Sequence, residues 1–381
     1  MNEWNNYFLE SLAEITSSKR IFYSEYVDSG VPFYRSKEVI NLFKREQVQT
    51  ELFITHQRFS EIEAKFGVPK ENDILLTSVG SLGIPYLVKA NDKFYFKDGN
   101  LTWFRNIDKE LLYPKYLYIW LSSSIGKQKL DEVTIGSTQA ALTISGLKSI
   151  EVGLPPLPEQ KAIASVLSSL DDKIDLLHRQ NKTLEAMAET LFRQWFIEEA
   201  KDDWEDGTLD QLIDLKYGKA LKQEDRSGSG YPVVASSGIV GFHNNYLVKG
   251  PGIVIGRKGT LGKVYFMEDN FYPIDTSYFI ETKTSGSNLI FEYYLLKSLD
   301  FANMNSDSAV PGLNRNIALG TQIQVPPEEL ILSFNGTAQP WFSKIHSNTK
   351  QIQTLEKLRD TLLPKLMSGE ARVQYQTEEV A

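Results

Sequence analysis

LPPLPEQKAIASVLSSLDDKIDLLHRQNKTLEAMAETLFRQWF, residues 154–196, marks a change in the periodicity of the chain. Apolar residues, with one polar exception at Asn181, recur at alternating spacings of four and three through Ile163, Leu167, Leu170, Ile174, Leu177, Asn181, Leu184, Ala188, Leu191 and Trp195. This is a heptad seam sustained over more than four heptads. The opposite face is charged, with Glu159, Lys161, Asp171, Asp172, Lys173, Arg179, Lys182 and Glu185. Proline just before a helix is tolerated, so Pro155 and Pro156 mark its start.

The same stretch belongs to a repeat. STQAALTISGLKSIEVGLPP at 137–156 parallels SAVPGLNRNIALGTQIQVPP at 308–327, and one offset carries the match onward to Trp195 and Leu366. The second seam is then Phe334, Ala338, Trp341, Ile345, Asn348, Ile352, Leu355, Arg359, Leu362 and Leu366. Pro340 and Pro364 are expected to kink this helix or delay its start. Upstream, DILLTSVGSLGIPY at 73–86 answers GIVIGRKGTLGKVY at 252–265, FYFKDGNLTWF at 94–104 answers FYPIDTSYFI at 271–280, and LLYPKYLYIWL at 111–121 answers LIFEYYLLKSL at 289–299. The first two pairs read as strands with Gly-rich turns and the third as short helices.

The predicted architecture is α+β: two duplicated α/β domains separated by a long antiparallel two-helix coiled coil. Its parts are a first domain at 1–153, a spacer helix at 154–201, a second domain at 202–325, a C-terminal spacer helix at 326–369 and a polar tail at 370–381. Each helix, of roughly 38 residues, would be about 57 Å long. A seam this narrow must be buried against another helix, and a buried amide needs a partner. Asn181 opposite Asn348 therefore sets the register, which also places Leu177 against Ile352, Leu184 against Ile345 and Trp195 against Phe334. Leu170 then meets Arg359, whose guanidinium must snorkel outward.

Composition narrows the function. The chain has 381 residues, no cysteine and a formal net charge of −8. Disulfides, thiolate catalysis and cysteine zinc sites are excluded, as is a strongly basic nucleic-acid coat, though a local basic patch is not. No apolar run reaches the length of a membrane span, and the start of the chain lacks a signal-peptide layout, so a cytoplasmic protein without membrane contact is expected. The four histidines, His56, His178, His243 and His346, show no metal-ligand spacing. There is no Pro-Asp dipeptide, and LPPL at 154–157 lacks the polar and aromatic residues of an amino-methyltransferase motif. GRKGTLGKV at 256–264 fails as a phosphate-binding P-loop, because Gly256 to Gly262 is one residue too long and Val264 follows the lysine.

That loop suits another task. Its glycines allow close backbone approach to phosphate, Arg257, Lys258 and Lys263 supply charge, Thr260 adds a hydroxyl, and Arg257 has the reach for a guanine edge. The matching loop of the first copy is neutral, with Ser78 and Ser81. Arg35 and Lys37 in VPFYRSKEV, and Asn314 and Arg315 in PGLNRN, complete the candidate DNA contacts.

At this point the chain resembles the DNA-specificity subunit of type I restriction-modification systems. Pro-Pro, Pro-Glu-Gln, Asp-x-Lys-Ile and Phe-x-x-Trp-Phe within 154–196 carry the likeness, with the GRKGTLG loop and the closing LLPKLMSGEARV. The second copy, VPPEELILSFN, lacks Pro-Glu-Gln. The resemblance implies two target-recognition domains, each reading half of a split double-stranded DNA target. It implies helices that set the spacing and dock two modification (methyltransferase) subunits, with restriction or translocase subunits as further partners. It also implies no catalysis and no cofactor in this chain, S-adenosylmethionine being bound by the modification subunit. A coiled-coil scaffold with two protein-binding domains and no DNA function fits the same layout, and would lack salt-dependent DNA binding.

Overall fold

The structure, a computed structural model, describes residues 4–136, 139–201, 204–304 and 312–374. Residues 137–138 and 308–311 of the repeated segments, and the tail beyond 374, lie outside the described residues.

Two compact units divide the chain, Met1–Ile174 with Thr354–Ala381, and Asp175–Gln353. Each unit thus holds one domain and half of each long helix. In the first, a four-stranded antiparallel sheet runs in the order Glu14–Thr16, Leu101–Arg105, Ile74–Thr77, Pro85–Leu87. In the second the order is Ile213–Tyr217, Ser277–Thr282, Gly252–Gly256, Val264–Met267. The central strands Ile74–Thr77 and Gly252–Gly256 are buried along their length, which is why they read as continuous apolar runs. A parallel pair recurs too, Val31–Tyr34 with Tyr95–Phe96 and Tyr231–Ala235 with Tyr272–Pro273. So does an antiparallel closing pair, Asn5–Phe8 with Glu151–Leu154 and Glu205–Thr208 with Gln322–Val325. The duplication read from sequence is therefore a duplication of topology.

The helices Pro114–Ser122 and Ile290–Ser298 are matched likewise. The way each is anchored explains the Pro-Glu-Gln motif. The Gln160 side chain accepts from Tyr113 N at 2.9 Å and donates to Leu111 O at 2.8 Å and Pro155 O at 2.9 Å. Glu159 beside it is fully buried and paired with Arg372. In the second unit Asn335 accepts from Phe291 N at 2.8 Å and donates to Ser287 Oγ at 2.9 Å. One amide satisfies the first residues of the short helix in both units. The second copy supplies it one helical turn later, so the motif is absent while its work is retained.

The two long helices span Leu157–Arg193, followed by a π-turn Gln194–Glu198, and Glu328–Ser368. The second starts well before Pro340 and is unbroken through Pro364, contrary to the expected kink or delayed start. The carbonyls left without a donor belong to Gly336 and Asp360, both exposed, so water can satisfy them. Every seam residue is buried or half-buried. In the second unit Asn348 donates to Asn181 Oδ1 at 2.8 Å, and the Trp195 and Phe334 rings lie 6.1 Å apart. In the first unit Arg359 does snorkel, pairing with Asp171 at 3.1 Å and Asp360 at 2.9 Å.

Outside the narrow seam the helix ends widen. Ile163, Ala164, Leu167, Leu366 and Met367 join the core of the first unit around Trp120 and Phe104. Ala188, Phe192, Ile331, Phe334, Ala338 and Phe342 join that of the second around Phe291 and Tyr294. Helix ends that enter a domain core carry a broad apolar stripe, while the middles carry only the seam.

Candidate nucleic-acid interface

The loop Arg257–Gly262 leaves the buried strand Gly252–Gly256 in a turn that needs glycine. Gly259 and Gly262 sit at φ of 81° and 67°, and a side chain at Gly256 would strike the Thr260 carbonyl. The first-domain loop Ser78–Gly83 repeats the turn, with Gly80 and Gly83 at 81° and 73°. Backbone bonds match residue by residue. Arg257 N donates to Thr276 O and Leu313 N to Arg257 O, both at 2.9 Å; Ser78 N donates to Asn100 O at 2.8 Å and Leu142 N to Ser78 O at 3.0 Å. Ser78 and Arg257 therefore occupy the same place in the fold.

Their surroundings differ. Arg257 lies over the Tyr217 ring at 4.9 Å and the Tyr278 ring at 5.6 Å, and donates to Asp275 O at 3.0 Å. Tyr217 is 53% exposed, whereas Tyr278 is buried and donates to Leu313 O at 3.0 Å. Burial pushes the Tyr278 phenol above its ordinary value. The rings hold a guanidinium that keeps part of its surface toward solvent. Lys258, Thr260 and Lys263 are exposed around it, with Lys263 Nζ 5.8 Å from the Tyr265 ring.

Arg315 is brought to the same edge but is committed to structure. It donates to Leu215 O at 2.7 Å and pairs with Asp214. Lys216 also binds Asp214, at 2.8 Å, and Glu281, at 3.3 Å. The Lys216 hydrogen bond, with Arg315 nearby, holds the Asp214 carboxyl below the usual range, and Asp214 raises Lys216 in turn. Asn314 caps the helix Arg315–Leu319, accepting from Asn316 N and Ile317 N, as Thr143 caps Ile144–Lys148. Both candidates therefore also hold the fold, Asn314 through its Oδ1 and Arg315 through Nε and one terminal nitrogen.

In the first domain the Ser78 side chain is turned inward. It is buried, and its hydroxyl lies 2.7 Å from Thr102 Oγ1. Ser81 is exposed at the turn, its carbonyl accepting from Thr77 Oγ1 at 2.5 Å. Arg35 pairs at 2.9 Å with the buried Glu38, which also accepts from Arg35 N at 2.8 Å, so it is fixed at the start of the helix Ser36–Phe43. Lys37 is exposed on that helix.

Tyr217, Tyr278 and Lys216 were not singled out from sequence. The signal was the run DLKYGK, an alternating strand that ends in an aromatic and cations. Among the described residues, no helix is long and apolar enough to cross a membrane.

Comparison with known proteins places this arrangement. The chain is 27% identical to the type I restriction enzyme MjaIX specificity subunit of Methanocaldococcus jannaschii, over 98% of this chain and 94% of that one. It is 26% identical to a putative type I specificity subunit of Mycoplasma genitalium, over 78% and 81%. The crystal structure of the type I restriction-modification system S subunit from M. genitalium shares the fold, with a TM-score of 0.69 and 23% identity over 96% of each chain. A family model described as the type I restriction modification DNA specificity domain matches twice, at residues 1–186 and 201–333, one match per copy of the repeat. With the duplicated sheets and paired helices above, these matches make the chain a member of the type I restriction-modification DNA specificity family.

Proposed function

We propose that this chain is the sequence-reading subunit of a type I restriction-modification complex and is itself non-catalytic. Each domain reads one half of a bipartite duplex target, and the helices set the spacing and dock two modification subunits. Restriction or translocase subunits join that assembly. S-adenosylmethionine and adenine flipping belong to the modification subunits, and the complex works on cytoplasmic DNA.

The observation that carries this reading is the pairing of one scaffold with two different surfaces. The same turn and the same backbone bonds present Arg257 over two tyrosines in one copy, where the other copy has a buried hydroxyl pair. A guanidinium held by aromatic faces is pre-aimed for a bidentate contact with guanine, while Lys258 and Lys263 suit phosphates. Apolar residues left exposed on the long helices, Leu176, Met187 and Leu358, support protein docking there.

The test is modular. Residues 1–153 are replaced by the equivalent segment of another family member, and methylated sites are mapped in cells that also express the modification subunit. One half of the target should change and the other persist. If both halves change, or neither does, the assignment of one domain to one half-site fails.

A further inference from the structure

The first domain exposes two adjacent aromatic rings, Phe22 at 62% and Tyr23 at 90%. Their backbone is held firmly. They start the short turn Tyr23–Glu25, in which Glu25 N donates to Phe22 O at 2.9 Å and the Glu25 carboxylate accepts from Phe22 N at 2.8 Å. That carboxylate is itself held by Arg58 at 2.7 Å, and the Tyr23 ring meets Tyr26 edge-on at 6.3 Å. A braced turn that points two large rings into water gains nothing for the domain's own core.

The position of the turn says what the rings face. The segment leading to it, Ser17–Arg20, is tied down beside the Ser78 loop. Ser18 Oγ donates to Phe96 O at 2.8 Å, Lys19 N to Tyr95 Oη at 2.7 Å, and Arg20 pairs with Asp98 at 2.9 Å. The equivalent segment of the second domain is tied by Gly218 N to Ser277 O at 3.1 Å and Lys219 N to Pro273 O at 3.0 Å. There it carries Tyr217, Lys219 and Lys222 along the same edge as Arg257. In the first domain the loop itself is neutral, and this segment offers Lys19 and Arg20, both exposed, before the two rings. Asp98 is shared between Arg20 and Lys97, Glu25 is neutralised by Arg58, and Asp28 stands exposed beyond the turn. Lys19 Nζ also lies 4.7 Å from the exposed Phe66 ring, so cations and aromatic faces alternate along this edge, a mixture that suits a polyanion offering base faces.

We infer that Phe22 and Tyr23 form a wedge that enters the first half-site and stacks on its bases. Lys19 and Arg20 hold the flanking phosphates. This rests on the proposed function. It assigns to the first domain an apolar mode of reading where the second uses Arg257.

The experiment uses the full chain assembled with its modification subunit, and duplexes carrying the mapped target with 2-aminopurine placed singly through the first half-site. Wild type should raise 2-aminopurine emission at one step besides the position of the adenine that the modification subunit flips, as a base there loses its stacking neighbour. Phe22→Ser/Tyr23→Ser should abolish that rise and weaken specific binding roughly tenfold or more, with the footprint on the second half-site and the assembly retained. Both residues are exposed, so the variant should fold. Unchanged affinity and emission would overturn the wedge. So would loss of the modification subunit with DNA contacts intact, which would assign the rings to a protein interface. A wild-type complex without sequence preference would overturn the proposed function and the wedge with it.

Discussion

The two domains differ most where they are built most alike. At three equivalent positions the first carries Ser17, Ser78 and Thr102, and the second Tyr217, Arg257 and Tyr278. In the first, Ser78 and Thr102 share a buried hydrogen bond at 2.7 Å. In the second, a cation lies over two rings that meet edge-on at 5.0 Å. The backbone bonds around both sets are the same. Folding is thus carried by main-chain pairing and the buried central strand, which leaves the edge side chains free to differ. Under the proposed function, a duplicated protein that reads two unlike half-sites needs that separation of roles.

The harshest way to break the comparison is to alter what the two domains share. Residues 177–183 and 346–352 are facing heptads and include both Asn181 and Asn348. Removing both shortens each helix by about 10.5 Å at the helical rise, or roughly three base pairs at 3.4 Å each. Methylation at the original target should be lost. The half-sites should keep their bases and move closer, or activity should vanish because the new phase cannot be accommodated. Full activity on the original spacer would show that the helices do not set it.

A smaller effect should follow from removing the charged side of the comparison. Arg257→Ala/Lys258→Ala should weaken binding by about 1–3 kcal/mol and relax one position of the second half-site. The salt dependence should become shallower as the Lys258 phosphate contact is lost. A change in the corresponding turn of the first domain, Ser81→Ala, at the place of Thr260, should leave the first half-site untouched. Equal responses in the two domains would mean that the loops do not distinguish them.

How much of this was legible beforehand follows from which interactions repeat. The heptads from Ile163 to Trp195, their copy from Phe334, and the Asn181–Asn348 register were readable because seam burial imposes a strict period. The buried strands were readable because both of their faces are apolar. Arg257 stood out by its loop. Tyr217 and Tyr278 did not, because a strand aromatic looks the same whether it faces a core or holds a cation. The structural bonds of Ser78, Asn314 and Arg315 went unread for a related reason. A polar residue near a glycine turn reads as available until its hydrogen-bond partner, often far away in sequence, is known. Arg315 and Asp214, or Gln160 and Tyr113, are distant in the chain and adjacent in space.

The buried amides give a milder test that concerns stability alone. Gln160→Leu and Asn335→Leu each leave a short-helix backbone N–H without its acceptor, which costs roughly 1–3 kcal/mol. Each should lower thermal stability without changing the bases read. Asn335→Leu should cost about as much as Gln160→Leu if the second copy has moved the amide rather than discarded it. A neutral Asn335→Leu would show that only the first domain depends on this anchor.

The smallest effect concerns a carboxylate that both domains keep at one place. Glu14 pairs with Arg105 at 2.5 Å across the strand pair, and Asp214 pairs with Lys216 at 2.8 Å and with Arg315. The Arg105 hydrogen bond holds Glu14 below its usual value, as the Lys216 bond does Asp214. A carboxyl depressed in the folded state binds fewer protons there than in the unfolded chain, so stability rises with pH across the interval between the two values. The contribution is complete above the ordinary carboxylate range and is lost as pH falls through the depressed value. Both pairs are partly solvent-exposed, and solvent screening limits each to under about 1 kcal/mol. Glu14→Gln and Asp214→Asn should each flatten the acid limb of the stability profile by that small amount, and high salt should shrink the difference. If Asp214→Asn instead loosens the helix Arg315–Leu319 at neutral pH, Arg315 depends on that charge more than on its bond to the Leu215 carbonyl. The second domain would then rest its reading edge on an ion pair, where the first rests it on buried hydroxyls.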